Sequence, residues 1–462
     1  MVSGPRLFSV LPPVKPINIA ELTAALGGSA VGVPPETEIT GFATDDRQVL
    51  PGDLFIAIKG SRVDGHEFAA AAISAGAVGV LAQQNVDVPH ILVADVVLAL
   101  SRMAAVFRED FRGPVVGITG SAGKTTTKEF VAAALSPLGQ ILKTQGNRNT
   151  EYTSPLLWAE LEEKTRAVVV EMAMRGFGQI EHLARFTRPT IGVVTNIGYS
   201  HLLQAGDRDG IARAKGELLR ALPPDGTAVL WAEDEYLGTL FSMCDCPAIT
   251  FGFSGNADCH LSSYEALNWT SCRIGGSFGD ERFEATLPAV GRHIALGAAA
   301  AIAVAATAGV DVGKAAAALA TAELPPMRME VCQFNGAQVL LDTYNASPPS
   351  MRAAIETFAE LPCRGKRFAV IGEMKELGGY SEEAHRELGR NLAESGIDEI
   401  ELYGELTALT YQEAKNRGMV VHQAGSIDEV RQFLERVEDG DAVLVKGSRS
   451  LELEKALEVE LP

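Results

Sequence analysis

No basic stripe runs through these 462 residues, and the formal net charge is -19. A nucleic-acid binder carries a basic domain or face, so nucleic acid is not an expected partner. An anionic substrate stays open, because a few placed Lys or Arg side chains and helix N-termini suffice to hold one. Cysteine is scarce: there are six, with one C-x-C at Cys244 and Cys246 and no second pair to complete a zinc spacing. Reduced thiols of a cytosolic enzyme are the expectation. The opening stretch MVSGPRLFSVLPPVKP is Pro-rich and has no apolar signal core. One small-and-apolar run, 294–310, falls short of the roughly 20 residues a spanning helix needs. Alanine dominates it, and it reads as a buried core helix. Low-complexity segments and short repeats are also missing. A soluble, cytoplasmic protein that spans no membrane is expected.

What is present fills several cores: apolar residues make up 47% of the chain. At roughly 100–200 residues per domain the length suggests about three domains. The first, 1–113, alternates short strands (54–58, 78–82, 91–94) with alanine-rich helical stretches such as 68–75. A Gly113-Pro114 break opens the second, 114–325. Its strands at 115–119, 167–171, 190–196 and 227–231 are continuously apolar, which predicts a mostly parallel sheet covered on both faces. A helix over 293–308 closes this block, and Leu324-Pro325-Pro326 marks a linker. The third, 326–462, has strands at 338–342, 367–372, 400–404 and 442–447 with helices between, a Rossmann-like pattern. An amphipathic helix is expected near 451–459. The fold class is therefore α/β throughout.

The strongest local signal is GITGSAGKTTTKE, residues 117–129. A strand ends at Thr119, a glycine turn follows, and Lys124 and Thr125 open a helix. Glycines let backbone N–H groups of Gly120, Ser121, Ala122 and Gly123 turn toward phosphate oxygens. The helix N-terminus adds partial positive charge. Lys124 would neutralise the β/γ-phosphates, Thr125 would hold Mg²⁺, and Thr126 continues the turn. The strict G-x-x-x-x-G-K-[ST] spacing fails, since Ile118 stands where its first glycine would be. The loop alone separates neither kinase from ligase nor ligase from hydrolase. Glu171 ends its strand at the edge where open α/β sheets bind ligands, so it can meet a phosphate-bound Mg²⁺. His201 follows the next strand at the same edge. Lys215 looks like an ordinary helix lysine on a solvated face.

Several long stretches, in order, resemble the Mur ligases: TDDRQVLPGDLFIAIKGSRVDGHEF (44–68), TGSAGKTTTKE, TNIGYSHLLQAGDRDGIARAKGELL (195–219), DTYNASPPSM (342–351), GEMKELG (372–378) and VLVKGSRS (443–450). The D-x-Y-N-A-x-P form favours, within that family, the member that adds D-alanyl-D-alanine to UDP-N-acetylmuramoyl-tripeptide. The resemblance covers nearly the whole chain. It implies a UDP-substrate domain, a central ATP domain and a C-terminal Rossmann-like ligase domain. It also implies an acyl-phosphate route in cytoplasmic peptidoglycan precursor synthesis by a monomer. ATP and two Mg²⁺ ions are the implied cofactors. Lys124 and Thr125 would bind ATP and magnesium. Glu171 and His201 would help hold a second magnesium. Lys215 would be carbamylated by CO₂ into a carboxylate-like ligand. Arg328, Asp342, Tyr344 and Asn345 would approach the nucleotide, and Thr44, Asp45, Arg47 and Asn147 the UDP substrate.

The chain departs from the family pattern at Asp46, at Ile294 and Gly297 in place of two asparagines, at Thr150 and Thr153, and at Ala173. Three alternatives remain: a sister ligase with another incoming amino acid, a catalytically silent scaffold, and a P-loop kinase. The kinase leaves 44–68 and 342–351 unexplained. A silent homologue would have no reason to keep Lys124, Thr125, Glu171, His201 and Lys215 together.

Overall fold

A computed structural model of the chain describes residues 17–60 and 63–457. The opening stretch searched for a signal core and the last five residues lie outside these. The chain divides into two compact units. The first holds residues up to 117 together with 139–173 and 179–189, and the second holds 118–138, 174–178 and 190–462. The strand Val115–Thr119 passes from one to the other.

In the first unit a five-stranded sheet runs in the order Ser29–Val31, His90–Leu92, Gly79–Ala82, Asp53–Ile56, Gly41–Ala43. Only the first pair is antiparallel. The expected helix at 68–75 forms as Ala69–Ala75, stopped by Gly76 in the left-handed region. Thr165–Glu171 and Gln140–Lys143 pair in parallel. The helix Val96–Arg108 packs against Ser154–Glu160 and Gln179–Thr187. Arg108 straps this layer, donating to the Thr187 and Phe111 carbonyls at 3.0 and 2.9 Å.

The second unit carries two sheets. Ile191–Val194, Thr227–Trp231, Ala248–Gly252 and Cys259–Ala266 run parallel, as the apolar runs imply. Sequence reasoning missed an antiparallel meander, Cys259–Ala266, Cys272–Phe278 and Glu281–Leu287. Its alternation is blurred by Gly275, Gly276 and a register shift at Leu261/Ser263, so period-2 counting finds little. Glu281–Leu287 is the sheet's edge: Phe283, Ala285 and Leu287 face the core and Glu281, Arg282 and Glu284 face out. The apolar run at 294–310 is confirmed as a core helix, Arg292–Thr307, almost wholly buried. Among the described residues no helix is long and apolar enough to cross a membrane.

The other sheet runs Glu330–Phe334, Ala337–Asp342, Ala442–Lys446, Arg367–Gly372, Glu399–Tyr403, Val420–Ala424. All pairs are parallel except the first. The first and last of these strands were not foreseen: both are edge strands, half polar. The helix expected near 451–459 is corrected, because the described part forms two short 3₁₀ turns, Arg449–Leu451 and Leu453–Ala456. All six cysteines are unbridged.

One buried acid in this sheet has a measurable consequence. Burial, with Glu429 nearby, pushes the Glu401 carboxyl from 4.5 up to about 7. The folded state thus holds this proton more tightly than the unfolded chain. Its contribution is fullest below pH 4.5 and is lost as pH rises through 7. Glu401→Gln is expected to stabilise the protein by on the order of 1 kcal/mol at pH 8 and by less at pH 5.5, read from urea midpoints. An equal effect at both pH values would contradict this.

Candidate functional site

The phosphate loop is braced from behind by the segment that follows Ile191–Val194. Thr195 N–H donates to the Thr119 carbonyl at 2.9 Å and Ser121 N–H to the Asn196 carbonyl at 3.0 Å. The Asn196 side chain takes Ala122 N–H and gives to the Ala122 carbonyl, both at 3.0 Å. Thr195 Oγ1 also donates to that carbonyl at 2.6 Å. Gly198 N–H donates to Ser121 Oγ at 2.8 Å. Gly120 is required by close approach: a Cβ there would sit 1.8 Å from Thr195 Oγ1. Gly123 is required for another reason. Its φ is +77° and it faces open space, as a residue must whose N–H is to meet a ligand. Lys124 and Thr125 then open the helix Lys124–Leu135, and Lys124 Nζ donates to the Gly120 carbonyl at 2.7 Å, curled over the loop.

Beside the loop lies a cavity of about 690 Å³, a size that suits a small-molecule ligand. Its lining includes Ala122, Gly123 and Thr126 of the loop and helix together with Trp231, Phe251, Phe253 and Ile294. Arg292 stacks 4.0 Å over the Phe253 ring. Asp234 anchors the wall, its carboxylate accepting from Ile197 and Tyr236 N–H groups, both at 2.8 Å. Gly297 faces Thr127, where a Cβ would come within 3.2 Å of Oγ1. The missing asparagine side chain thus lets two small-residue helices pack closely.

Arg328 also lines the cavity. It lies 4.1 Å over the Tyr344 ring and donates to Thr125 Oγ1 at 3.2 Å, while its buried Nε has no hydrogen-bond partner. Met327 and Met329 on either side have φ of 58° and 53°, strained values for non-glycine residues that fix where Arg328 points. Asp342 is held by Lys446, whose Nζ lies 2.5 Å from Oδ2 and 3.1 Å from the Asn345 carbonyl. Lys446 is 1% exposed, so this is a buried ion pair.

His201 stands at φ 67°, its Nδ1 3.7 Å from Glu376 Oε2. Burial first, then Lys215, Lys124 and Arg175, lower its pKa to about 4, so the ring is neutral at physiological pH. Lys215 corrects the sequence expectation most sharply. It is 1% exposed, not solvated, and burial followed by Lys124 depresses its pKa well below the usual lysine value. Helix spacing could not reveal this, because the Arg208–Lys215 helix is polar overall and its buried face is short.

Glu171, Asn147, Thr44, Asp45 and Arg47 belong to the first unit. Glu171 ends its strand, 2% exposed, with Oε2 buried and unpartnered. Thr44, Asp45 and Arg47 follow the strand Gly41–Ala43. Asp45 accepts both Nε and NH2 of Arg47, at 2.8 and 2.6 Å, and this bond lowers its pKa. Asn147 is exposed and its carbonyl accepts Asn149 N–H. The departures at Thr150 and Thr153 pair with each other, hydroxyl to hydroxyl, at 3.2 Å.

Sequence reasoning missed Lys446, Arg292 and Asp234. Lys446 had a signal: a lysine ending an otherwise apolar strand must find an anion. The other two carry no pattern that sets them apart from ordinary surface charges.

Three family models match the chain: "Mur ligase family, catalytic domain" over 38–135, "Mur ligase middle domain" over 118–305 and "Mur ligase, glutamate ligase domain" over 327–449. The UDP-N-acetylmuramoyl-tripeptide--D-alanyl-D-alanine ligase of Bacillus subtilis is 35% identical over 95% of this chain and 96% of its own. That of Escherichia coli is 32% identical over 96% and 97%. Among solved structures, MurF from Acinetobacter baumannii superposes with a TM-score of 0.89 at 30% identity, covering 96% of this chain and 98% of that one. The MurF ligase of Thermotoga maritima in complex with ADP superposes at 0.80 with 32% identity, covering 90% and 96%.

Two lysines make a contrast that unfolding can test. Lys446→Met strands Asp342 without its buried partner and is expected to cost about 3 kcal/mol of stability. Lys124→Met removes a side chain from a solvent-lined loop and is expected to stay within about 1 kcal/mol. Urea midpoints of both variants decide, and equal losses would sink the distinction.

Proposed function

This chain belongs to the Mur ligase family, and on that premise we propose that it joins D-alanyl-D-alanine to UDP-N-acetylmuramoyl-tripeptide, driven by ATP. The observation that carries this is near full-length likeness, at 35% identity, to a ligase of that name. Geometry supports it: a braced phosphate loop borders a cavity whose lining includes Trp231, Phe251 and Phe253. The activity would place the protein in the cytoplasm, in peptidoglycan precursor synthesis. We also propose that it acts as a monomer, with 1–113, 114–325 and 326–462 as its functional domains.

Chemistry dictates the route. An amine cannot displace oxide from a carboxylate, so the tripeptide's terminal carboxylate first attacks the γ-phosphorus of ATP, giving an acyl phosphate and ADP. The dipeptide amine then attacks the acyl carbon, and phosphate leaves. Lys124 and Arg328 face the charge that builds on the transferred group, whereas the Ser121 and Ala122 N–H groups, expected to turn toward phosphate, are donated to Asn196 instead. The orphaned Nε of Arg328 suits a phosphate oxygen. The ring of His201, neutral at physiological pH, can serve as a metal ligand.

Among the described residues no three His, Cys, Asp or Glu side chains gather into a cation cage. That fits magnesium, which is held by one or two protein oxygens together with substrate phosphates. Thr125 is proposed as a ligand of the magnesium that accompanies ATP, and Glu171, with its buried bare Oε2, is proposed separately as a magnesium ligand of the first unit. Bound magnesium would supply charge neutralisation at the phosphates. Lys215 is proposed to be carbamylated. A neutral buried amine attacks the carbon of CO₂: an N–C bond forms, one C=O π pair moves onto oxygen, the nitrogen gives up one proton, and a neutral amine becomes an anion. Burial of Lys215, which lowers its pKa, favours the neutral amine that this step needs.

Phosphate release should require ATP, UDP-N-acetylmuramoyl-tripeptide and D-alanyl-D-alanine together, with a mass shift to the pentapeptide product. Release with a different incoming amine would keep the family and overturn the specificity. ATP binding without release in any combination would point to a scaffold. Enzyme stripped of CO₂ should lose activity and regain it with bicarbonate, whereas Lys215→Ala should fall by at least about 100-fold and not respond.

A further inference from the structure

The strand Thr165–Glu171 ends, within the first unit, in a small hydrogen-bonded knot around Glu171 whose other members, Thr144 and Asn149, the mechanism above does not use. Glu171 N–H donates to Thr144 Oγ1 at 3.0 Å. Asn149 grips the same stretch at two points. Its Nδ2 donates to Glu171 Oε1 at 2.8 Å, and its backbone carbonyl accepts Ala173 N–H at 3.1 Å. Glu171 Oε2 is buried with no hydrogen-bond partner.

A carboxylate can accept about four hydrogen bonds, and a buried oxygen left bare is costly. Here one oxygen is satisfied and the other is not, so the asymmetry is built by Asn149. An amide suits this task. It orients the carboxylate without adding a positive charge that would compete with a cation, as Lys or Arg would. A carboxylate in its place would repel Glu171.

We propose that Asn149 is a positioning residue that pins Glu171 through Oε1 and so presents Oε2 as the oxygen free for a divalent cation. This rests on the reading of Glu171 as a magnesium ligand. Partners that orient metal ligands change metal affinity by about 10- to 100-fold when removed.

The test is Asn149→Ala in the full chain, which keeps the backbone bond to Ala173. Mn²⁺ affinity is read by electron paramagnetic resonance with ADP bound, beside the melting temperature and the KM for the UDP substrate. Mn²⁺ binding should weaken about 10-fold or more, with KM for the UDP substrate within about twofold. A raised KM with Mn²⁺ affinity intact would make Asn149 a substrate contact and overturn the proposal. A lowered melting temperature with Mn²⁺ affinity intact would make it merely structural, and would overturn the proposal equally. Should the alanine variant not fold, Asn149→Leu fills the volume without a donor, and the same Mn²⁺ loss is expected. Glu171→Gln runs in parallel. If it leaves Mn²⁺ affinity unchanged, the ligand reading of Glu171 fails and the proposal with it. If it weakens Mn²⁺ binding while Asn149→Ala does not, only the role of Asn149 falls.

Discussion

A phosphate loop that must stay open to a ligand cannot be held in shape by packing it shut. Something else has to hold it. In this chain the holder is the stretch 195–200, which clasps Ser121 and Ala122 through backbone and side-chain bonds. The brace explains the residue types on both sides. Gly120 must lack a side chain because Thr195 sits against it, and the amide of Asn196 can both give to a carbonyl and take from an N–H on the same peptide segment.

The same stretch leads straight into His201, so the backbone that props the loop open also delivers the ring beside Lys124 and Lys215. Three groups that can carry positive charge thus lie near one another, Lys215 fully buried and Lys124 half-buried. Burial first, and then the positive charges nearby, lower the pKa of His201 and Lys215. The fold thus tunes these groups by depth of burial, which disfavours the charged form of the two that lie deepest.

Most of the α/β frame was legible because its strands are buried on both faces and announce themselves as apolar runs: 115–119, 227–231 and 367–372 formed as read. The meander at 259–287 was not, because glycines and a register shift break its alternation. Of the site, the loop was legible from local spacing alone. Lys215 was not, since its importance lies in burial and a nearby charge rather than in its neighbours in sequence. Lys446 sits between these cases. The stretch around it carried the family resemblance, yet its partnership with Asp342 spans about a hundred residues and appears only when the two strands lie side by side.

The edge strand Glu281–Leu287 bears on how the protein behaves in a crowded solution. A sheet edge offers a row of free N–H and C=O groups to any passing chain. Along this one, Glu281, Arg282 and Glu284 point outward beside the open backbone. A second strand laid against it would have to strip water from those charges, and with a chain net charge of -19 a second copy would be repelled before it arrived. The meander thus closes its sheet with a border that resists growth, so the molecule can be made in quantity without this edge seeding fibres.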